Sequence, residues 1–164
     1  MRRLSLIFTF LFFSSIMAFS QYDFAIGLRS GGTSGITLKK NNPSTSVEGI
    51  VGIWNDGLSF TGLFEQHPGI AEVPGLHWVY GVGAHVAFYS DNFRGAGGPA
   101  WFDYNRDIAD DDLGLGVDAI IGIEYKIPPL PLAFSIDIKP FVEFTTDGVV
   151  WFAFDPGLGI KFAF

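Results

Sequence analysis

His85, Asp118 and Ser135 are the residue types of a nucleophilic set, in which an imidazole takes a hydroxyl proton and a carboxylate holds the imidazole in place. Each lies in a run of alternating apolar and polar residues, and each falls on the polar face of its run. Facing the same way is not enough. His85 stands about nine residues from one end of its run and Ser135 about three from the same end of its own. At ~3.3 Å per residue the two are expected at different heights. No His-x-Ser pair occurs, so the residues point away from catalysis. His77 and His85 share a face but are eight residues apart. That is roughly 26 Å along a strand, too far for one metal ion, and both are expected to be interior hydrogen-bonding residues.

The remaining candidate chemistry lies in the stretch 91–112. Asp103, Asn105 and Asp107 occupy positions one, three and five of a calcium-type loop. Position six is Ile108 where a Gly is needed for the sharp turn, and position twelve is Gly114 rather than a bidentate Glu. With Asp110, Asp111 and Asp112 following, the stretch reads as a solvated acidic loop. Its Trp101, Phe102 and Tyr104 either touch lipid or a surface partner, or fold down on the rim beneath them. No cofactor and no metal is expected.

The segments that must position these residues begin after residue 20. Arg2 and Arg3 form a basic head, residues 4–17 are almost wholly apolar, and Ala18 and Ser20 put small residues before Gln21. That order predicts a secretory signal peptide over 1–20, since the apolar run is shorter than the ~20 residues a membrane helix needs. Without Arg2 and Arg3 the chain keeps 8 of its 10 basic residues against 17 acidic ones, a net charge of −9 in place of −7. Such a surplus excludes nucleic acid as a partner, because phosphates need a basic face. The absence of Cys rules out both disulfides and lipid attachment at a mature N-terminal Cys.

Residues 21–164 read as one domain whose dominant signal is period-two alternation. Eight runs stand out. On their apolar faces they carry, in turn, Phe24, Ile26 and Leu28; Ile36 and Leu38; Val47, Val51 and Ile53; Leu58, Phe60 and Phe64; Trp78, Tyr80, Val82 and Phe88; Leu115, Val117, Ile121, Ile123 and Tyr125; Phe134, Ile136, Ile138, Val142 and Phe144; and Phe152, Phe154, Leu158, Ile160 and Phe162. Turn chemistry separates them at Ser30-Gly31-Gly32, Asn41-Asn42-Pro43, Asn55-Asp56-Gly57, His67-Pro68-Gly69, Pro128-Pro129 and Thr146-Asp147-Gly148, and 91–112 is the single long connection.

Alternation alone does not say which face meets solvent. A water-soluble, lipocalin-like barrel would show the same period with the opposite sense. The polar face decides: it is rich in Gly with acids and bases mixed, unlike the uniform polar coat of water-facing strands. Small residues between charges suit the interior of a narrow barrel, with Asp23, Arg29, Lys39, Glu48, Glu65, His85, Asp118, Glu124, Lys126, Asp137, Lys139, Glu143 and Lys161 inside, paired and plugging the lumen. Tyr22, Trp78, Tyr125, Phe152 and Phe164 then fall near strand ends on the apolar face, where interfacial aromatics belong. In hydrocarbon a strand-built protein must close on itself. The expected fold is therefore an all-β, eight-stranded, antiparallel up-and-down transmembrane β-barrel, with the turns at Asn41, His67 and Pro128 periplasmic and 91–112 at the cell surface.

The chain resembles the small eight-stranded outer-membrane barrels of Gram-negative bacteria, the OmpX and OmpA membrane-domain type grouped as a porin family. The resemblance covers the whole chain and is most specific at Gly159-Ile160-Lys161-Phe162-Ala163-Phe164. That ending is similar to the family's assembly signal, which implies that Gly159, Phe162 and Phe164 are read by the barrel-assembly machinery. Where the family has a polar residue two positions before this Gly, the chain has Gly157. The resemblance implies an outer-membrane location, contact with membrane lipid and a monomer. It leaves two functions open: a structural or surface-interaction barrel acting through 91–112, and a lipid-modifying enzyme or small-ligand binder.

Overall fold

A computed structural model describes residues 23–54, 57–70, 73–90 and 113–164, apart from the side chain of Trp151. Eight strands follow one another as β1 (Phe24–Gly31), β2 (Ser34–Asn41), β3 (Thr45–Trp54), β4 (Gly57–Gln66), β5 (Leu76–Tyr89), β6 (Leu113–Ile127), β7 (Leu132–Thr145) and β8 (Val150–Ala163), with no helix among the described residues. Each pairs antiparallel with the next, and β8 returns to β1 to close a barrel. The mutual hydrogen bonds between Phe24 and Phe164 zip the seam at its end, 3.2 Å one way and 2.8 Å the other. All eight sequence runs are strands. The first turn differs: Ser30 and Gly31 remain in β1, because Gly31 pairs with Gly157 across the seam and leaves only Gly32 and Thr33 to turn. The signal-peptide segment, Tyr22 and 91–112 lie outside the described residues.

The registers set the barrel's width. Paired residues lead from Ile26 through Leu38, Gly49, Gly62, Ala84, Val117 and Val142 to Phe152. Ile26 itself pairs with Phe162 across the seam, so one circuit climbs ten residues along β8, from 152 to 162. With eight strands, ~3.3 Å per residue and ~4.8 Å between strands, that shear tilts the strands by roughly 40° and leaves an interior that side chains fill.

Period two then sorts the side chains. Odd-numbered residues of β1, β2, β4, β5, β7 and β8 and even-numbered residues of β3 and β6 turn inward, and the buried positions follow this rule strand by strand. The outward set is apolar and exposed, from Leu28 and Val82, each above 60 % exposed, to the aromatics Trp78, Tyr125, Phe152 and Phe164 near strand ends. On β7 this band runs from Phe134 to Phe144 and on β8 from Phe152 to Phe162, ten residue steps along each strand. At the tilt above, that is about 25 Å of height.

The interior is narrow enough that long polar side chains need glycine beside them. A Cβ on Gly157 would lie 1.9 Å from Arg29 Nη1, and one on Gly116 would lie 2.1 Å from the His85 ring. Gly114 likewise makes room for the Glu143 carboxylate and Gly159 for the Ser135 hydroxyl. The glycine-rich polar face is the complement of the charges: each such Gly stands where a neighbouring side chain crosses the backbone.

Candidate functional site

The lumen holds two ionic clusters. The first lies toward the end at which Phe24 and Phe164 meet, called the near end here. Lys39 of β2 places Nζ 2.9 Å from Glu65 of β4, 3.2 Å from Glu124 of β6 and 3.7 Å from Glu48 of β3. Lys161 of β8 places its Nζ 2.8 Å from Glu48 and 3.3 Å from Glu124. Ser46 donates to Glu65 at 3.0 Å. β2 and β6 are diametrically opposed in an eight-strand ring, so the Lys39–Glu124 pair spans the bore.

The second cluster continues toward the far end. Arg29 donates through Nη2 to Asp137 at 2.7 Å and to the Asp155 carbonyl at 3.2 Å. Asp155 accepts from both the N–H and the hydroxyl of Thr33, each at 2.8 Å, and lies 3.3 Å from Lys139 Nζ. Lys139 donates to Asp118 at 2.9 Å. His85 bridges Asp118 through Nδ1 at 2.8 Å and Glu143 through Nε2 at 3.0 Å, and Tyr89 donates to Glu143 at 2.8 Å. Carboxylates only accept, so an imidazole with both nitrogens against carboxylate oxygens holds two protons unless one carboxyl carries one. An imidazolium offsets part of the imbalance here, where seven buried carboxyls (Glu48, Glu65, Asp118, Glu124, Asp137, Glu143 and Asp155) face four fixed cations (Arg29, Lys39, Lys139 and Lys161).

Apolar layers separate and cap the clusters. Ile50, Leu63 and Ile120 form one. At the far end Trp54, Tyr89 and Phe141 group with Ala87 and Ala153, the Trp54 and Phe141 rings meeting edge to face at 5.2 Å. Between the clusters, Arg29, Thr37, Glu65, Ser135 and Asp137 line a small cavity of about 10 Å³. Arg29 Nε and Nη1, Thr37 Oγ1 and Glu65 Oε1 have no protein partner there, and the space suits a single water.

Eleven of the thirteen residues expected inside the barrel are buried in it. Two are corrections. Asp23 is exposed, because β1 begins only at Phe24 and Asp23 lies beyond the wall; Lys126 is half-buried, close to the rim where β6 ends at Ile127. Asp155 was missed as an interior charge although its parity matches Lys161; its 0 % exposure and three partner residues make it central to the second cluster. His85 and Asp118 do meet, but Ser135 lies level with Glu124, whose other neighbour is His77, while His85 lies level with Gly116. The nucleophilic triad is therefore not assembled. His77 is half-buried at the near rim and bonds the Gly75 carbonyl at 3.0 Å. Of the C-terminal residues, Phe162 and Phe164 lie on the outward face with rings 6.5 Å apart, and Gly159 faces inward beside Ser135.

No protein-family model matches the chain, and neither do any curated protein and any solved structure.

Proposed function

We propose that this chain is an integral outer-membrane β-barrel of the OmpX and OmpA membrane-domain type, with a structural or surface-interaction role and no open pore. The observation that carries the reading is its inverted polarity: eleven of the expected charged or titratable residues are buried in the bore, while the outer wall is an apolar band about 25 Å high. That height suits the hydrocarbon layer crossed by such barrels. A barrel in water gains by burying apolar side chains and solvating charges, so a lipocalin-like form would need the reverse arrangement. The plugged role rests on Lys39 and Glu124 meeting across the bore and on the aromatic cap at the far end. The signal-like residues 1–20 and the ending at Gly159, Phe162 and Phe164 support export and handling by the assembly machinery. Residues 91–112, which lie between β5 and β6 in the sequence, are the segment through which a surface partner would be met. Fractionation with gel mobility tests the reading. The protein is expected in the outer-membrane fraction, migrating faster unheated than boiled. A periplasmic protein of unchanged mobility would overturn it.

A further inference from the structure

We propose that His67 and His77 form a binding site for a divalent transition-metal ion of the zinc or copper class at the near end of the lumen. His67 follows β4 directly and His77 is the second residue of β5. The connection between them doubles back: Gly69 bridges to His77, the Trp78 N–H reaches the Pro68 carbonyl at 3.0 Å, and the Ile70 N–H reaches the Leu76 carbonyl at 2.8 Å. This brings the two rings to 6.1 Å between centroids. Each ring is already oriented by its other nitrogen. His67 Nε2 lies 2.9 Å from the Thr45 carbonyl and His77 Nδ1 lies 3.0 Å from the Gly75 carbonyl. Carbonyl oxygens only accept, so those two nitrogens carry the protons, and the lone pairs sit on His67 Nδ1 and His77 Nε2. An imidazole whose second N–H is tied to a backbone carbonyl is the usual support of a metal-ligating histidine.

Two imidazoles on one tetrahedral ion, at ~2.0–2.1 Å each, hold their centroids roughly 5 Å apart. The observed separation is about 1 Å greater and the rings stand at 75° to one another, so binding requires both rings to turn as well as close. Glu124, paired with His77 on β6, is already held by Lys39 and Lys161, so the two imidazoles themselves must carry the affinity. Among the described residues no three ligating side chains converge, so water or an incoming ligand would complete the coordination. Nitrogen ligands with open positions select borderline ions such as zinc and copper over calcium or magnesium.

Calorimetric titration of the untagged, membrane-purified protein with zinc ions tests the site. The expected result is one-to-one binding, weakened at least tenfold by His67→Gln or His77→Gln and retained in His85→Gln. Absence of binding, or equal binding by both rim variants, would overturn the proposal. Should a variant fail to show the folded gel mobility, zinc must protect His67 and His77 of the unaltered protein from carbethoxylation; modification at the same rate with and without zinc would also overturn it.

Discussion

Lys139 sits between Asp118 at 2.9 Å and Asp155 at 3.3 Å, with its ammonium 4.9 Å from the Phe141 ring centre. Lys139→Met keeps the stem and removes the charge, leaving two buried carboxylates without their shared cation. Removing one partner of a buried pair typically costs about 3–5 kcal/mol. The urea midpoint of the refolded barrel should fall accordingly, and an unchanged midpoint would mean that water, not lysine, satisfies these acids. Gly157 makes a second residue-scale test. Alanine there would set its Cβ 1.9 Å from Arg29 Nη1 and push the guanidinium off Asp137. Gly157→Ala should destabilise by about 1–3 kcal/mol, the usual range for overpacking, although alanine suits a strand better than glycine does. The same comparison on a neutral background, Arg29→Leu, should lose most of that penalty.

At the scale of the strand, alternation divides each element between two environments. The outward residue Ile121 lies near the middle of β6, paired with Ile138 of β7 and Tyr80 of β5, and is 56 % exposed. In hydrocarbon Ile121→Lys should cost about 2–4 kcal/mol of folding free energy, as charges do on the lipid face near the midplane. In water the same change would be close to neutral or favourable. Folding of the variant into lipid vesicles, measured by the unheated gel band, separates the two environments. Pro140 marks the one strand position where the ladder gives way. The β6–β7 pairing passes from Asp118 with Phe141 to Ile121 with Ile138, omitting the positions around the proline, which has no N–H to donate.

For the molecule as a whole, the lumen is a stack of ionic and apolar layers rather than a bore. The Lys39–Glu124 pair crosses it, and the cavity between the clusters has space for a single water. Planar-bilayer recordings should therefore show no stable large conductance. A sustained open level would contradict the plugged lumen and favour transport. In a chain without Cys, buried charges link strands that are not sequence neighbours, β2 with β6, β3 with β8 and β1 with β7.

The number of strands, their order and the two faces of each were legible in the sequence, because a period of two is a local property of consecutive residues and turn signals mark where it stops. That most charges would share one face was equally legible, and with it the interior positions of Lys39, Glu65, Asp118 and Lys161. Height was not. The level of a side chain in the bore depends on eight registers summed around the ring, and a shift of a single residue would move it to the other face. Register, that of β5 with β6 and of β6 with β7, decides that His85 finds Asp118 and Glu143 while Ser135 lies levels away. It likewise decides which glycine lies under which charge, and that Lys39 reaches Glu124 across the barrel. Asp23 and Lys126 had the right parity and the wrong height, at the rim where the wall ends. Asp155 shows the same limit from the other side, since its period matched but its importance comes from Arg29, Thr33 and Lys139, far away in the chain. The His67–His77 pair arises from the return of the chain between β4 and β5, a path set by backbone hydrogen bonds that no alternation encodes.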